Sequence, residues 1–100
     1  MAKEELDPNG VYRAECERWG VPPSEELAAV LPTEPGAWSL RQLDLSDQAM
    51  VTALHLVDVV GLCSELHTFL APGNELSALS LRVLCAVLAR HPSVTRIDLS

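Results

Sequence analysis

The segment Leu66-His67-Thr68-Phe69-Leu70-Ala71-Pro72-Gly73-Asn74-Glu75-Leu76 decides the fold, because its spacing returns twice elsewhere in the chain. Leu66, Phe69 and Ala71 occupy an L-x-x-L-x-L pattern. Leu40, Leu43 and Leu45 repeat it 26 residues earlier in LRQLDLS, and Val94, Ile97 and Leu99 repeat it 28 residues later in VTRIDLS. Between these segments lie two apolar-periodic stretches long enough for a helix, roughly 49–62 and 77–90, the second with Ser77 as a possible N-cap. The helical stripes align as well: Leu56 falls against Leu84, Val59 against Val87 and Val60 against Leu88. Two registers, one of strand period and one of helix period, therefore agree. They predict an α/β chain in which short parallel strands at 40–45, 66–71 and 94–99 alternate with helices. Leu43, Leu45, Leu56, Leu66, Phe69, Leu84, Leu88 and Ile97 are the expected core.

Strand side chains alternate, so the residues between the leucines face away from that core. Stacked strands then present three outward columns: Arg41, His67 and Thr95; Gln42, Thr68 and Arg96; Asp44, Leu70 and Asp98. This mixed polar surface suits another protein and is the candidate binding face. Leu70 stands between two aspartates, either as an interface anchor or as a singly exposed leucine.

Ahead of the first segment the texture is different. The first nine residues are polar, with Pro8-Asn9-Gly10 as a turn signal, and are expected to fray. Val11 to Trp19 reads as a short helix with Tyr12, Cys16 and Trp19 on one stripe, stopped by Gly20. Pro22-Pro23 force an extended link. Ser24 then caps a second helix with Leu27, Val30 and Leu31 on its apolar stripe, and Pro32 and Pro35-Gly36 close it.

The second segment and the residues beyond it, through Asn74, Leu76, Leu84-Cys85 and Leu88 to His91-Pro92-Ser93, resemble leucine-rich-repeat proteins of the ribonuclease-inhibitor-like class. Their repeats run L-x-x-L-x-L-x-x-N-x-L and then a helix. The resemblance covers residues 40–100. It implies a solenoid of short parallel strands and helices over 38–100, with 1–37 as a helical N-terminal cap over the first repeat's leucines. It also implies that Asn74 is the structural ladder residue, bonding backbone groups of the bend. Gln48 replaces that Asn in the first repeat, and Ala71-Pro72 is an unusual strand end. The third repeat stops at Asp98-Leu99-Ser100, so its open edge is expected to be covered by further repeats or a neighbouring chain. The cap pattern Y-x-x-x-C-x-x-W-G-x-x-P, carried by Tyr12, Cys16, Gly20 and Pro23, with Leu43-Asp44-Leu45 after it, resembles the start of cytoskeletal leucine-rich-repeat proteins. That likeness implies a cytoplasmic scaffold of the cytoskeleton, at a ciliary or flagellar axoneme or a centrosome.

Composition narrows the function. Seven Lys and Arg against fourteen Asp and Glu give a formal charge of −7, which disfavours nucleic acid and anionic membrane and favours a partner with a basic patch. Apolar runs are broken by His55, Asp58, Arg82 and Arg90 too early for a membrane span, and Glu4, Glu5 and Asp7 are unlike a signal peptide. Three widely spaced cysteines read as reduced thiols rather than a disulfide scaffold. Cys63 and His67 are four apart but lie across a helix-to-strand bend, so they are not expected to act together. Cys85 and Cys16 read as core residues, His55 and His91 as solvated ones. No carboxylate pair, phosphate loop or metal-ligand cluster stands out. The expectation is a non-enzymatic protein-interaction module without cofactor or metal. The alternatives are a small α/β thiol-dependent enzyme using Cys63, and a repeat-containing effector or inhibitor.

Overall fold

Parallel pairing of three short strands organises the chain. In the computed structural model, which describes residues 3–48 and 50–99 (Lys3 in its backbone only), these are β1 (Gln42–Asp44), β2 (Thr68–Leu70) and β3 (Arg96–Asp98). They form one sheet in the order β1-β2-β3. Leu43 lies beside Phe69 and Phe69 beside Ile97, with Gln42, Thr68 and Arg96 in one row and Asp44, Leu70 and Asp98 in another. The register is that of the sequence columns. Ala49, the expected start of the first crossover helix, and Ser100, the end of the expected repeat region, lie outside the described residues.

Parallel neighbours need a crossover, and a helix supplies each one. Between β2 and β3 runs α4 (Ala78–Arg90), capped by Ser77, whose hydroxyl accepts from the Ser80 amide at 3.2 Å. Between β1 and β2 the helical part is far shorter than 49–62: a 3-10 turn at Leu54–Leu56 and then α3 (Val57–Leu62). The reason is that the preceding backbone is already committed. The carbonyls of Met50 and Val51 accept from Glu75 and Ser77 at 3.1 and 2.8 Å, and the Ala53 amide donates to the Ser80 hydroxyl at 3.1 Å. Groups bonded sideways cannot join a helical ladder.

The two bends that follow β1 and β2 fit into one another. Asp47 (φ 54°) and Gly73 (φ 74°), 26 residues apart, both take the left-handed conformation. The Asp47 amide donates to the Pro72 carbonyl at 2.9 Å. A Cβ on Gly73 would fall 1.8 Å from Asp47 Oδ1, so only glycine fits there. Asn74 completes the joint. Its Oδ1 accepts from the amides of Gln48 and Met50, both at 3.0 Å, and its Nδ2 donates to the carbonyls of Leu45 at 2.8 Å and Ala71 at 3.2 Å.

At the N-terminal end, Pro8-Asn9-Gly10 open a helix instead of fraying. The Asp7 carboxylate accepts from the Gly10 amide at 2.7 Å, Pro8 takes the first turn, and α1 runs Pro8–Trp19. Gly20 (φ 67°) ends it in a Schellman motif, with Val21 donating to the Cys16 carbonyl and Gly20 to that of Glu17. α2 (Glu25–Val30) begins at Ser24, as its sequence suggests. Its last carbonyls are met by Asn9, whose Nδ2 donates to Ala28 O at 2.7 Å. Trp38 is buried and donates Nε1 to the Leu6 carbonyl at 3.1 Å, which ties down the segment before α1.

The core gathers Tyr12, Cys16, Leu27, Leu31 and Trp38 from the N-terminal part with Leu43, Leu45, Leu56, Leu66, Phe69, Leu84 and Leu88. α1 packs on the 3-10 turn and α3. Ile97 is 48% exposed, because β3 is an edge strand and no described element covers its outer side. Trp19 and Val30 are exposed, since the inward faces of their helices are Pro8/Tyr12/Glu15/Cys16 and Leu27/Ala28. Cys85 is exposed, because Ser80, Leu84 and Leu88 hold the inner stripe of α4 and the next residue is turned about 100° away. His55 is buried, since the 3-10 turn points it at α1, where its ring centroid lies 6.1 Å from that of Tyr12. His91 is half-buried and bonded: its Nε2 lies 2.9 Å from the Cys63 carbonyl, while Nδ1 accepts from the Ser93 amide at 3.2 Å. Those partners put the proton on Nε2.

Candidate functional site

The strands hold their outward residues in the rows that the pairing dictates. Gln42, Thr68 and Arg96 sit side by side, as do Asp44, Leu70 and Asp98. Arg41, His67 and Thr95 follow one another across the strand starts, with His67 N donating to Arg41 O at 2.8 Å and Thr95 N to His67 O at 2.9 Å. Arg41, Gln42, Asp44, His67, Thr95 and Arg96 are exposed, and Thr68, Leu70 and Asp98 are half-buried. All nine candidate residues thus belong to one sheet and its entry. Leu70 is neither fully open nor part of the core.

Charge on this face is zoned along the strands. Arg41 and Arg96 mark the starts, Asp44 and Asp98 the ends, with Leu70 between the aspartates. Hydrogen bonds from the Ser46 hydroxyl and then from its amide hold the Asp44 carboxyl below the usual carboxylate range. The Asp44 charge therefore persists into mildly acidic solution. The face thus carries cations at one end, anions at the other, and an apolar residue among the anions.

The thiols and imidazoles are distributed differently. Cys63 is fully buried while His67 is exposed, so the pair does not make an accessible thiol and base. Burial pushes the Cys16 thiol up. Among the described residues, no group of three or more His, Cys, Asp or Glu could hold a metal ion, and no helix is long and apolar enough to cross a membrane. Depressions in the described surface lie away from the sheet face, one of about 280 Å³ beside Glu15, Trp19 and Asp58. A groove of about 590 Å³ between α3 and α4 is lined by Val57, Leu62, Val87 and Pro92 with Asp58 and Arg90. A cleft of about 290 Å³ lies between the N-terminal helices and β1, beside Leu27, Leu45 and Met50. The cleft wall also carries Tyr12, Ser24, Thr52 and His55, but the Ser24 hydroxyl is engaged with Gln48 and the Leu27 amide, and His55 Nδ1 has no hydrogen-bond partner.

Two buried polar contacts were not legible in the sequence. Tyr12 is pushed up to about 12 by burial, and its hydroxyl accepts from the Ser24 amide at 2.7 Å, which joins α1 to the cap of α2. Glu15 is raised above the usual carboxylate range by Asp58, to which its protonated form donates, and by burial. As a carboxylate its Oε2 has no donor, and Arg18, 3.6 Å from Oε1, together with a hydrogen bond from the Trp19 side chain, offsets the charge only in part. A helix wheel assigns such a glutamate to water; what meets it is Asp58 of α3, and a contact between two helices is not encoded in the period of either one.

His55 gives this core a pH dependence. It is buried, its Nδ1 has no partner, and burial lowers its pKa below 6.5. The unfolded chain takes up a proton near pH 6.5, whereas the fold resists it to lower pH. Stability is therefore full above that value and is lost as pH falls toward the folded pKa. Thermal denaturation from pH 7.5 to 5.5 is expected to show a melting temperature that declines more steeply in the native chain than in His55→Gln. Parallel curves for the two would refute the assignment.

No family model, curated protein or solved structure matches the chain. The functional reading therefore rests on the residues themselves.

Proposed function

We propose that the chain is a non-enzymatic protein-interaction or scaffold module built on leucine-rich repeats, with residues 1–37 as its cap and the outward sheet residues as its binding face. The observation that carries this reading is the coincidence of two registers. Segments spaced 26 and 28 residues apart in sequence pair as adjacent parallel strands, and their intervening polar residues fall into continuous outward rows. The matched left-handed residues Asp47 and Gly73, and the bonding of Asn74 to two successive bends, support it further. Such bends leave backbone groups that neither strand nor helix satisfies, and a ladder amide meets that need.

The partner in this reading is a protein carrying a basic patch that meets Asp44 and Asp98 on either side of Leu70. A cytoskeletal scaffold, ciliary or centrosomal, is the setting suggested by the cap residues Tyr12, Cys16, Gly20 and Pro23. With a net charge of −7, direct contact with strongly acidic surfaces such as tubulin's is unfavourable, so that role runs through a basic adaptor.

The test places a photo-crosslinker at Thr68 and, separately, at Glu25, identifies what each captures, and titrates the identified protein against charge variants. Arg41→Glu and Asp44→Lys are expected to weaken binding about fivefold each. The exposed Arg41 should change without effect on the melting temperature, whereas Asp44→Lys also removes the acceptor of the Ser46 hydroxyl and amide, so its affinity is read well below its own, lower melting temperature. If reversals on the sheet face leave affinity unchanged while Trp19→Ala or Glu25→Lys abolishes it, the N-terminal helices are the working surface and the proposal fails.

A further inference from the structure

The outer edge of β3 carries a sequence that is charge-complementary to itself. β3 reads Arg96-Ile97-Asp98, and among the described residues no strand lies on its outer side. Its inner side is occupied: the Arg96 amide donates to the His67 carbonyl at 3.0 Å and the Asp98 carbonyl accepts from the Ala71 amide at 2.7 Å. Backbone groups alternate in direction along a strand, so Arg96 and Asp98 face β2 and the N–H and C=O of Ile97 face outward. The Ile97 side chain is 48% exposed, the only large aliphatic residue of the expected core, among the described residues, left so open.

We propose that β3 pairs antiparallel with β3 of a second copy of this chain about a two-fold axis at Ile97. The inference uses only the sheet and goes beyond the repeat reading. In that arrangement Ile97 of each copy donates its N–H to the other's carbonyl and accepts in return, which makes it the hydrogen-bonded pair of an antiparallel ladder. Arg96 then stands opposite Asp98 of the second copy, and Asp98 opposite Arg96, as closely spaced non-hydrogen-bonded pairs. Both ion pairs lie on the outward face, and the two isoleucines meet on the core face. One strand thus supplies two backbone hydrogen bonds, two ion pairs and an apolar contact by symmetry alone.

The other edge does not offer this. β1 reads Gln42-Leu43-Asp44, so self-pairing about Leu43 would set glutamine against aspartate with no opposite charge. Head-to-tail pairing of β3 on β1 brings Arg96 beside Gln42 in the same way and generates open-ended polymers rather than a dimer. Two chains of net charge −7 repel at long range, so association is weak. At about 0.1 M salt, charges more than about 10 Å apart are screened, while cross-strand pairs at roughly 5 Å are not.

The experiment is sedimentation equilibrium on the 100-residue chain, from about 10 μM to 1 mM, with melting temperatures measured for every variant. A monomer–dimer equilibrium is expected. Arg96→Asp and Asp98→Arg are each expected to weaken it at least tenfold, because each sets like charges face to face. A 1:1 mixture of the two variants, and the double variant R96D/D98R, should regain the native strength to within about threefold. Arg41→Glu, outside β3, should leave dimerisation untouched, which separates this interface from the partner-binding face. For a readout independent of any variant, amide exchange at Ile97 should slow with concentration in the native chain while Gln42 and Asp44 remain unaffected. A native chain monomeric at 1 mM, a mixture no stronger than its components, polymers larger than dimers, or an Ile97 amide insensitive to concentration would each overturn the proposal.

Discussion

Asn74→Ala is expected to destabilise the fold by about 3 kcal/mol and to lower the melting temperature by about 10–20 °C. The effect is large because one side chain serves several backbone groups that nothing else reaches. Its Oδ1 takes two amide protons, from Gln48 and Met50, and its Nδ2 serves the carbonyls of Leu45 and Ala71. Alanine removes all of these bonds at once, and each buried group left unpaired costs about 1–3 kcal/mol, reduced where water can enter. The asparagine is half-buried, so the sum falls well short of the number of bonds times that cost.

The comparison with Asn74→Asp separates lost bonds from lost volume. Aspartate keeps the acceptor for Gln48 and Met50 but turns a negative charge toward the Leu45 and Ala71 carbonyls. It is expected to be at least as damaging as alanine at pH 7 and to recover part of the loss near pH 4, where the protonated acid can donate once. Thermal denaturation of the three proteins at both pH values reads this directly. A melting temperature within about 2 °C of the native chain for Asn74→Ala would show that the bends hold without it.

The legible parts of this chain are those fixed by period and by turn chemistry. The strands and their register followed from three matched L-x-x-L-x-L segments, since a one-residue slip would have put Leu43, Phe69 or Leu45 on the wrong face. Ser77 and Ser24 marked real helix starts because a hydroxyl before an apolar stripe satisfies orphan amides. What was not legible depends on a neighbour. The stretch before α3 has helical periodicity, but Glu75 and Ser77 claim its carbonyls, and the resulting 3-10 turn rotates His55 inward. Pro8-Asn9-Gly10 reads as a turn until Asp7 supplies a cap and Asn9 finds Ala28. On the outward sheet face, the sequence indicated which residues stand together, while the half-burial of Thr68 and Leu70 and the Ser46 hold on Asp44 emerge only from the packed bend.

Leu84→Ala and Cys85→Ala make the second test, since adjacent residues of α4 are expected to differ by an order of magnitude in cost. Leu84 has no exposed surface and lies between Ser80 and Leu88 on the inner stripe, so truncation opens a cavity and costs about 2–5 kcal/mol. Cys85 is exposed on the outer face, and its truncation is expected to stay within about 0.5 kcal/mol. The thiols report the same difference kinetically. In the native chain Cys85 should react with a thiol reagent at once, while Cys16 and Cys63, both buried, wait for the fold to open. A loss of 2 kcal/mol or more multiplies the open population, and hence the labelling rate of Cys63, by about 30 or more, because each 1.4 kcal/mol is a factor of ten. Leu84→Ala should therefore accelerate Cys63 labelling by at least that factor, and Cys85→Ala should leave it unchanged. Equal small effects at both positions would place the stripe of α4 on the surface. A Cys63 that reacts as fast as Cys85 in the native chain would instead mean that the buried thiol is reachable, and the case for a binding module without thiol chemistry would fail with it.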